Sequence, residues 1–392
     1  MVYSLRDTIS AVVVASTLAF SPISVLAQSS DLIVEKKVFE APSYKTVAGE
    51  TIKNVRIGWE AAGTLNEEKS NAILITQFFS GTSHAFGKYK AEDKIAGYWD
   101  QIIGSGKIID TDKYYVISSD TLVNLNVNAP NVVTTGPASI NPDTGKPYGM
   151  SFPVVSIKDF VNVQKAIVES LGIKKLKMVM GASMGGAQAY EWAASYPEMV
   201  GRIVAVISHS VPDPYLTAWL GLWAQPIRLD VKWNGGDYYG KELPLEGLKA
   251  SLKLLTLHAN HWEWARNSFG MAPAQDGKSP AEAMANQFKI EAFLETTAAA
   301  RAAVADANHF LYLVKANQLA SADPSKIKVP ALIIYTPTDL IFPELLVEET
   351  ARTIAANGTT VETAKLIGPN GHLNGVAAIG QAKDKISAFL AR

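Results

Sequence analysis

The sequence predicts an α/β fold: a mostly parallel sheet wrapped by helices, with a helical cap inserted into it. Three observations carry this. Short apolar runs of strand length alternate with helix-period segments through the first half of the chain and again near its end. Between them, from about residue 213 to 322, the alternation stops and the pattern is helical. One strand–turn–helix junction carries Gly181-Ala182-Ser183-Met184-Gly185, a G-x-S-x-G turn suited to the carboxyl end of a buried strand.

The chain has 392 residues, long for one ordinary domain but within reach of an α/β domain with an insertion. At 48% hydrophobic and 19% charged it can bury a large core. A net charge of -1 with no basic block argues against nucleic acid as a partner. Zero cysteines exclude disulfides, thiolate metal sites and a cysteine nucleophile. No apolar run in the body of the chain is long enough to span a membrane.

The N-terminus has its own pattern. Arg6 precedes an apolar stretch from Ile9 to Phe20, and Val25-Leu26-Ala27 ends it on a small residue. This predicts a secretory signal peptide, residues 1–27, with Asp7 a blemish in its positive region. The expected location is periplasmic or secreted, with no stable membrane insertion after cleavage. A buried N-terminal helix is the competing reading.

In chain order, the first part of the core is expected over 28–212. Residues 31–39 read as an extended edge segment. Thr51 to Trp59 alternates like a half-exposed strand, and Asn71–Thr76 and Tyr114–Ser119 are buried strands. Ile157 to Leu171 is an amphipathic helix ended by Gly172. The Ser183 junction follows, then a strand from Arg202 to Ser208. The cap, 213–322, holds five of the eight tryptophans and is expected to break at Pro226, at Asn234-Gly235-Gly236 and at Pro273. Most of its aromatics should form its own core, with a minority roofing a pocket. The second part of the core, 323–392, has strands at Val329–Tyr335 and Val361–Ile367, a helix after Pro343 and a C-terminal helix.

A serine hydroxyl is a weak nucleophile and needs a base, which in turn needs an orienting acid. In this class of fold the order along the chain is Ser, then Asp or Glu, then His. Asp339 and His372 follow Ser183 in that order, each just past a predicted strand. Ser183 is therefore the expected nucleophile, His372 the base and Asp339 its orienting partner. The plainer alternatives are a turn or helix-capping role for Asp339 and a turn role for His372. Backbone N–H groups of Met184 and Phe79 are the expected oxyanion donors. His84 and His209 fall near the same sheet edge. His258 and His261, three apart, are read as surface or core residues rather than metal ligands. No metal or cofactor is required.

With these residues in hand, the chain resembles the homoserine O-acetyltransferase family of α/β-hydrolases over most of its mature length. The resemblance lies in Tyr98-Trp99-Asp100, Ile109-Asp110-Thr111-Asp112-Lys113-Tyr114 and Thr135-Gly136-Pro137-Ala138-Ser139-Ile140-Asn141-Pro142. It continues in the Ser183 turn, in Trp233-Asn234-Gly235-Gly236-Asp237-Tyr238, in Asp306-Ala307-Asn308 with Tyr312-Leu313, and in Asp339-Leu340-Ile341-Phe342-Pro343. It implies an α/β-hydrolase fold, the triad Ser183, Asp339 and His372, and a homodimer formed through the cap. It also exposes departures. The family's carboxylate-binding arginine aligns with Ala224, and its amine-binding aspartate aligns with Leu373. Arg228, one helical turn on from Ala224, is the candidate substitute. The family's His-Ala-Leu-Thr-Gly oxyanion loop is Gln77-Phe78-Phe79-Ser80-Gly81 here, bulkier and more apolar. Export would also separate the enzyme from cytosolic acetyl-CoA. The expectation is an exported serine hydrolase that cleaves a small-molecule carboxylic ester, in preference to an amide, through an acyl-serine. The alternative is an acyl-CoA-dependent O-acyltransferase; a binding protein that kept only the fold is the third reading.

Overall fold

Eight strands form one sheet: β1 (Lys37–Lys45), β2 (Thr51–Ala62), β3 (Ala72–Thr76), β4 (Tyr115–Ser119), β5 (Met178–Ala182), β6 (Ile203–Val206), β7 (Ala331–Tyr335) and β8 (Val361–Lys365). Their order is β1-β2-β4-β3-β5-β6-β7-β8. β2 pairs antiparallel with β1 and β4, and every other pairing is parallel. The computed structural model describes residues 32–392, so the expected signal peptide lies outside the described residues. No described helix is long and apolar enough to cross a membrane.

Every residue of β3, β5, β6 and β7 is buried, as a parallel sheet covered on both faces requires. Side chains alternate between two cores. Leu74, Val179, Ala205 and Ile333 face one layer with helices α1 (Ile157–Ser170) and α2 (Met184–Ser195). Ile73, Met178, Val204 and Leu332 face the other, with Trp99 and Phe389 of the C-terminal helix α10 (Lys383–Ala391). α1 starts where expected because Asp159 in its first turn accepts from the Ser156 N–H at 2.7 Å. It stops at Gly172, whose φ of +73° is left-handed.

Between β6 and β7 the chain is helical: α3 (Pro214–Leu229), α4 (Leu245–Ala259), α5 (Trp262–Phe269), α6 (Lys289–Ala302) and α7 (Ala307–Gln318). α8 (Glu344–Ala355) and α9 (Asn374–Ala377) follow β7 and β8. Two details differ from the sequence reading. Pro226 does not break the cap, because α3 runs through it to Leu229. The lost hydrogen bond to the Leu222 carbonyl is tolerated since Trp223, Ala224 and Ile227 bury that stretch of the helix. The first edge strand also lies later than 31–39, with only an isolated bridge from Ile33 to Lys88 before β1. The Asn234-Gly235 break is real, with φ of +46° and +63°.

β5 leads straight into α2, and this junction presses on the end of β3. A Cβ on Gly185 would collide with the Thr76 carbonyl, and one on Gly181 with the Thr76 hydroxyl. Thr76 Oγ1 locks the contact by donating to the Gly185 carbonyl at 2.8 Å. Gly221, in the middle of α3, has open room for a Cβ. Gly185→Ala should therefore destabilise the fold by about 2–3 kcal/mol or more, as overpacking against backbone does. Gly221→Ala should stabilise by roughly 0.5–1 kcal/mol. Urea unfolding midpoints of the two variants check both signs.

Candidate active site

Ser183 sits between β5 and α2 at φ +57°, ψ -123°, a conformation that a non-glycine residue adopts only when its surroundings force it. The Gly181 and Gly185 contacts with β3 supply that force. Its hydroxyl makes no hydrogen bond among the described residues, so it is free to turn toward a base when substrate enters. His372 lines the same cavity. It lies in a short 3-10 turn after β8, behind Gly371, whose φ is +58°.

His372 Nδ1 is 2.8 Å from Asp339 Oδ2, and both side chains are nearly fully buried. The other oxygen of Asp339 accepts from the N–H groups of Ile341 at 2.8 Å and Phe342 at 3.0 Å. The turn role and the orienting role are thus not alternatives. The turn after β7 holds the carboxylate rigid, and the carboxylate holds the imidazole with Nε2 turned away from it. Asn374 braces the loop below, donating to the Gly368 carbonyl at 2.9 Å and to Thr336 Oγ1 at 3.1 Å.

The N–H groups of Phe79 and Met184 have no acceptor among the described residues. Met184 opens α2, where free N–H groups and the positive dipole end favour an anion. The 77–84 loop that carries Phe79 is held from behind by buried amides. Gln188 donates to the Gln77 carbonyl at 2.9 Å, Asn124 to Gln77 Oε1 at 3.0 Å, and Asn126 to the Ser80 carbonyl at 3.0 Å. Its far end is pinned to a buried ionic cluster. Glu60 accepts from Ser83 Oγ at 2.6 Å and Tyr89 OH at 2.7 Å, and pairs with Lys36 at 2.8 Å. Sequence reasoning missed these residues, because nothing in local pattern marks Asn124 or Glu60 as neighbours of the loop.

Two lobes open beside Ser183, separated by Phe79, Trp223 and Ile341. One, about 610 Å³ with its mouth included, is lined by His372, Leu373, Leu255, Thr256, Asn260 and Arg301. The other, about 450 Å³, is lined by Ala187, His209, Leu216, Leu220, Asn317 and Phe342. No carboxylate lines either lobe. Burial lowers the pKa of His209, and the nearby Asp213 only partly opposes this. Their closest atoms are 3.9 Å apart, too far for a hydrogen bond.

The remaining sequence candidates fall as follows. Leu373 reaches the cavity. Ala224 is fully buried in the cap core and lines neither lobe. Arg228 does not substitute for the missing arginine: it is exposed, past the buried part of α3. His84 turns away from the site, bonded to Glu60 at 3.0 Å and stacked on Tyr89. His258 stacks on Trp219, and His261 caps α5. Among the described residues no group of three or more His, Cys, Asp or Glu is placed to hold a metal. Of the cap tryptophans Trp223 roofs the cavity, Trp264 packs on Phe269 and Phe293, and Trp262 is exposed. Arg301 was not singled out by the sequence. It lies in the last turn of α6, a helix whose flat polarity pattern gave no sign of facing a site.

Fold, elbow and buried Asp–His pair define an enzyme of the α/β-hydrolase fold, and residues 127–375 match the family model described as alpha/beta hydrolase fold. The homoserine O-acetyltransferase of Methanosphaerula palustris is 40% identical over 88% of this chain and 70% of its own length. That of Carboxydothermus hydrogenoformans is 35% identical over 87% of this chain and 90% of its own. The chain belongs to the homoserine O-acetyltransferase family. Among solved structures, esterase E22 is 47% identical, with a TM-score of 0.87 over 91% of this chain and 100% of that one. The homoserine O-acetyltransferase of Bacillus anthracis is 35% identical, also at 0.87, over 92% and 98%.

The ionic cluster behind the oxyanion loop gives a pH prediction. Burial alone would raise the pKa of Glu60, but the His84 hydrogen bond and the Lys36 charge outweigh it and bring it down to about 2. A depressed folded-state pKa contributes stability above the unfolded value, roughly 4.3. That contribution is lost as pH falls toward 2. Glu60→Gln should therefore narrow the gap in urea midpoint between pH 7 and pH 3, and should lower activity through the loosened loop.

Proposed function

We propose that the protein hydrolyses carboxylic esters through an acyl-Ser183 intermediate. Ser183 Oγ attacks the ester carbonyl while His372 Nε2 takes its proton and Asp339 stabilises the imidazolium. The tetrahedral oxyanion is held by the N–H groups of Phe79 and Met184. His372 then returns the proton to the leaving alcohol. Because that proton travels from His372, the alcohol occupies the His372 lobe and the acyl group the His209 lobe. A water activated by His372 then attacks the acyl-serine, the acid departs, and the serine is restored.

One observation carries the choice of water as acceptor. The His372 lobe presents Leu373 and no carboxylate, so a substrate ammonium would be desolvated there without a counter-charge. Each charge-assisted hydrogen bond forgone costs about 1.5–3 kcal/mol of recognition. The name of esterase E22 agrees with this reading. The relatives named homoserine O-acetyltransferase speak more strongly for a second one, in which an alcohol acceptor takes the acyl group from acyl-CoA. Both pass through the same acyl-Ser183, formed from an ester with loss of an alcohol in the first and from acyl-CoA with loss of a thiol in the second. Export remains part of the first proposal, resting on residues 1–27 alone.

Purified protein is expected to turn over p-nitrophenyl acetate and butyrate, with Ser183→Ala slower by a factor of about 10³ or more. Unchanged turnover in that variant would remove the acyl-serine mechanism. Mixing the enzyme with acetyl-CoA and homoserine separates the two readings. Thiol release beyond one equivalent per enzyme only when homoserine is present would overturn hydrolysis in favour of transfer.

A further inference from the structure

Besides Ser80, Ser183 and His372, the polar residues lining the His372 lobe are Arg301, Thr256 and Asn260, which neighbour one another through hydrogen bonds at Thr256. Arg301 projects from the last turn of α6, and its guanidinium donates one hydrogen bond, to Thr256 Oγ1 of α4 at 2.8 Å. A guanidinium carries five N–H donors. No carboxylate pairs with it among the described residues, unlike Arg56, Arg352 and Arg392, which pair with Glu40, Glu348 and Glu362. Burial lowers its pKa to about 10 with no neighbouring charge acting on it, which leaves it a cation at neutral pH. Arg301 is half-buried, and its remaining donors are not sealed in the interior, so they are open to an anion that enters the cavity.

We propose that Arg301 anchors a carboxylate carried by the alcohol portion of the substrate, so that the ester cleaved is one formed on a hydroxycarboxylic acid. The inference rests on the acyl-serine chemistry above, which places the alcohol in the lobe lined by His372. Its chemistry selects a single carboxylate. The planar guanidinium matches a carboxylate fork, and no second cation lines the lobe to balance a phosphate dianion. The same lining rejects an amino acid ester, because nothing there answers an ammonium. A helix-capping role for Arg301, favoured by its place at the end of α6, explains a positive charge there but not its position on the cavity wall.

The test compares ω-acetoxy carboxylates (3-acetoxypropanoate, 4-acetoxybutanoate and 6-acetoxyhexanoate) with their primary amides, for the wild type, Arg301→Gln and Arg301→Lys. The expected wild-type preference in kcat/KM for the best carboxylate over its amide is about tenfold or more, the size of one charge-assisted pair. Arg301→Gln should cut that ratio about 10- to 100-fold, mainly through KM, and Arg301→Lys should keep part of it. A structural role alone would lower both substrates together and leave the ratio intact, which overturns the proposal; so does a wild type that does not distinguish the two. If Arg301→Gln fails to fold, competition settles the matter on the wild type. 4-Hydroxybutanoate should inhibit p-nitrophenyl acetate turnover and 4-hydroxybutanamide should not, and equal inhibition overturns the anchor. If no ester is turned over, calorimetric binding of 4-hydroxybutanoate to the Ser183→Ala protein still decides. Binding that exceeds that of the amide supports the anchor while the hydrolase reading fails, and its absence overturns the anchor itself.

Discussion

The carboxyl end of β3 and the turn at Ser183 touch backbone to backbone, and that contact sets the geometry above it. Thr76 reaches across to the Gly185 carbonyl, and neither Gly181 nor Gly185 has room for a side chain. The close approach does two things at once. It holds Ser183 in its strained conformation, with the hydroxyl standing clear of the sheet. It also ends β3 at the start of the loop that carries Phe79, whose N–H, like that of Met184, has no acceptor among the described residues. In the proposed mechanism, Ser183 and both N–H groups are then set by one junction, so little reorganisation would be needed when charge develops.

The rest of the catalytic edge is held by polar groups that fill each other's requirements. Asp339 spends one oxygen on the turn and one on His372. The loop under Phe79 is tied to Asn124, Asn126 and Gln188, all buried and hydrogen-bonded. Such networks are stiff when complete and expensive when broken, because each member lies in a low dielectric. This places the rigidity of the site in the sheet layer and in the loops that leave it, one of which is tied to the cap where His309 bonds to the Asn124 carbonyl at 2.7 Å.

That division explains what could be seen from the sequence. The sheet chemistry was legible: an elbow needs glycines at fixed offsets, and an acid and a base must follow on later strands, so Ser183, Asp339 and His372 could be named from order alone. The strands were legible because parallel strands buried on both faces are apolar throughout. The amide braces were not, since Asn124 and Gln77 are 47 residues apart and their pairing depends on the path of a loop. Arg228 was misplaced by trusting one turn of helical spacing near a helix end, where α3 leaves the buried cap core. Arg301 was invisible for the converse reason. It comes from α6, which lies far from the triad in sequence and is half-buried along most of its length, with no apolar face to mark it.

The sheet thus holds Ser183, Asp339 and His372 in a fixed frame, while the walls of the lobes come largely from the helices laid over it. Trp223 of α3, Leu255 and Thr256 of α4 and Arg301 of α6 all face the cavity, and none of them takes part in the steps of bond making. Exchanging such residues alters which alcohol is held and whether an amine finds a counter-charge, without disturbing the elbow. Water needs no anchor, since it reaches any acyl-serine that the lobes leave accessible. An acceptor alcohol must be held against that competition by contacts made in the His372 lobe. In the proposed reading, Leu373 at this wall gives no counter-charge to a zwitterion and leaves the competition to water, while Ser183, His372 and Asp339 keep the roles they would have in transfer.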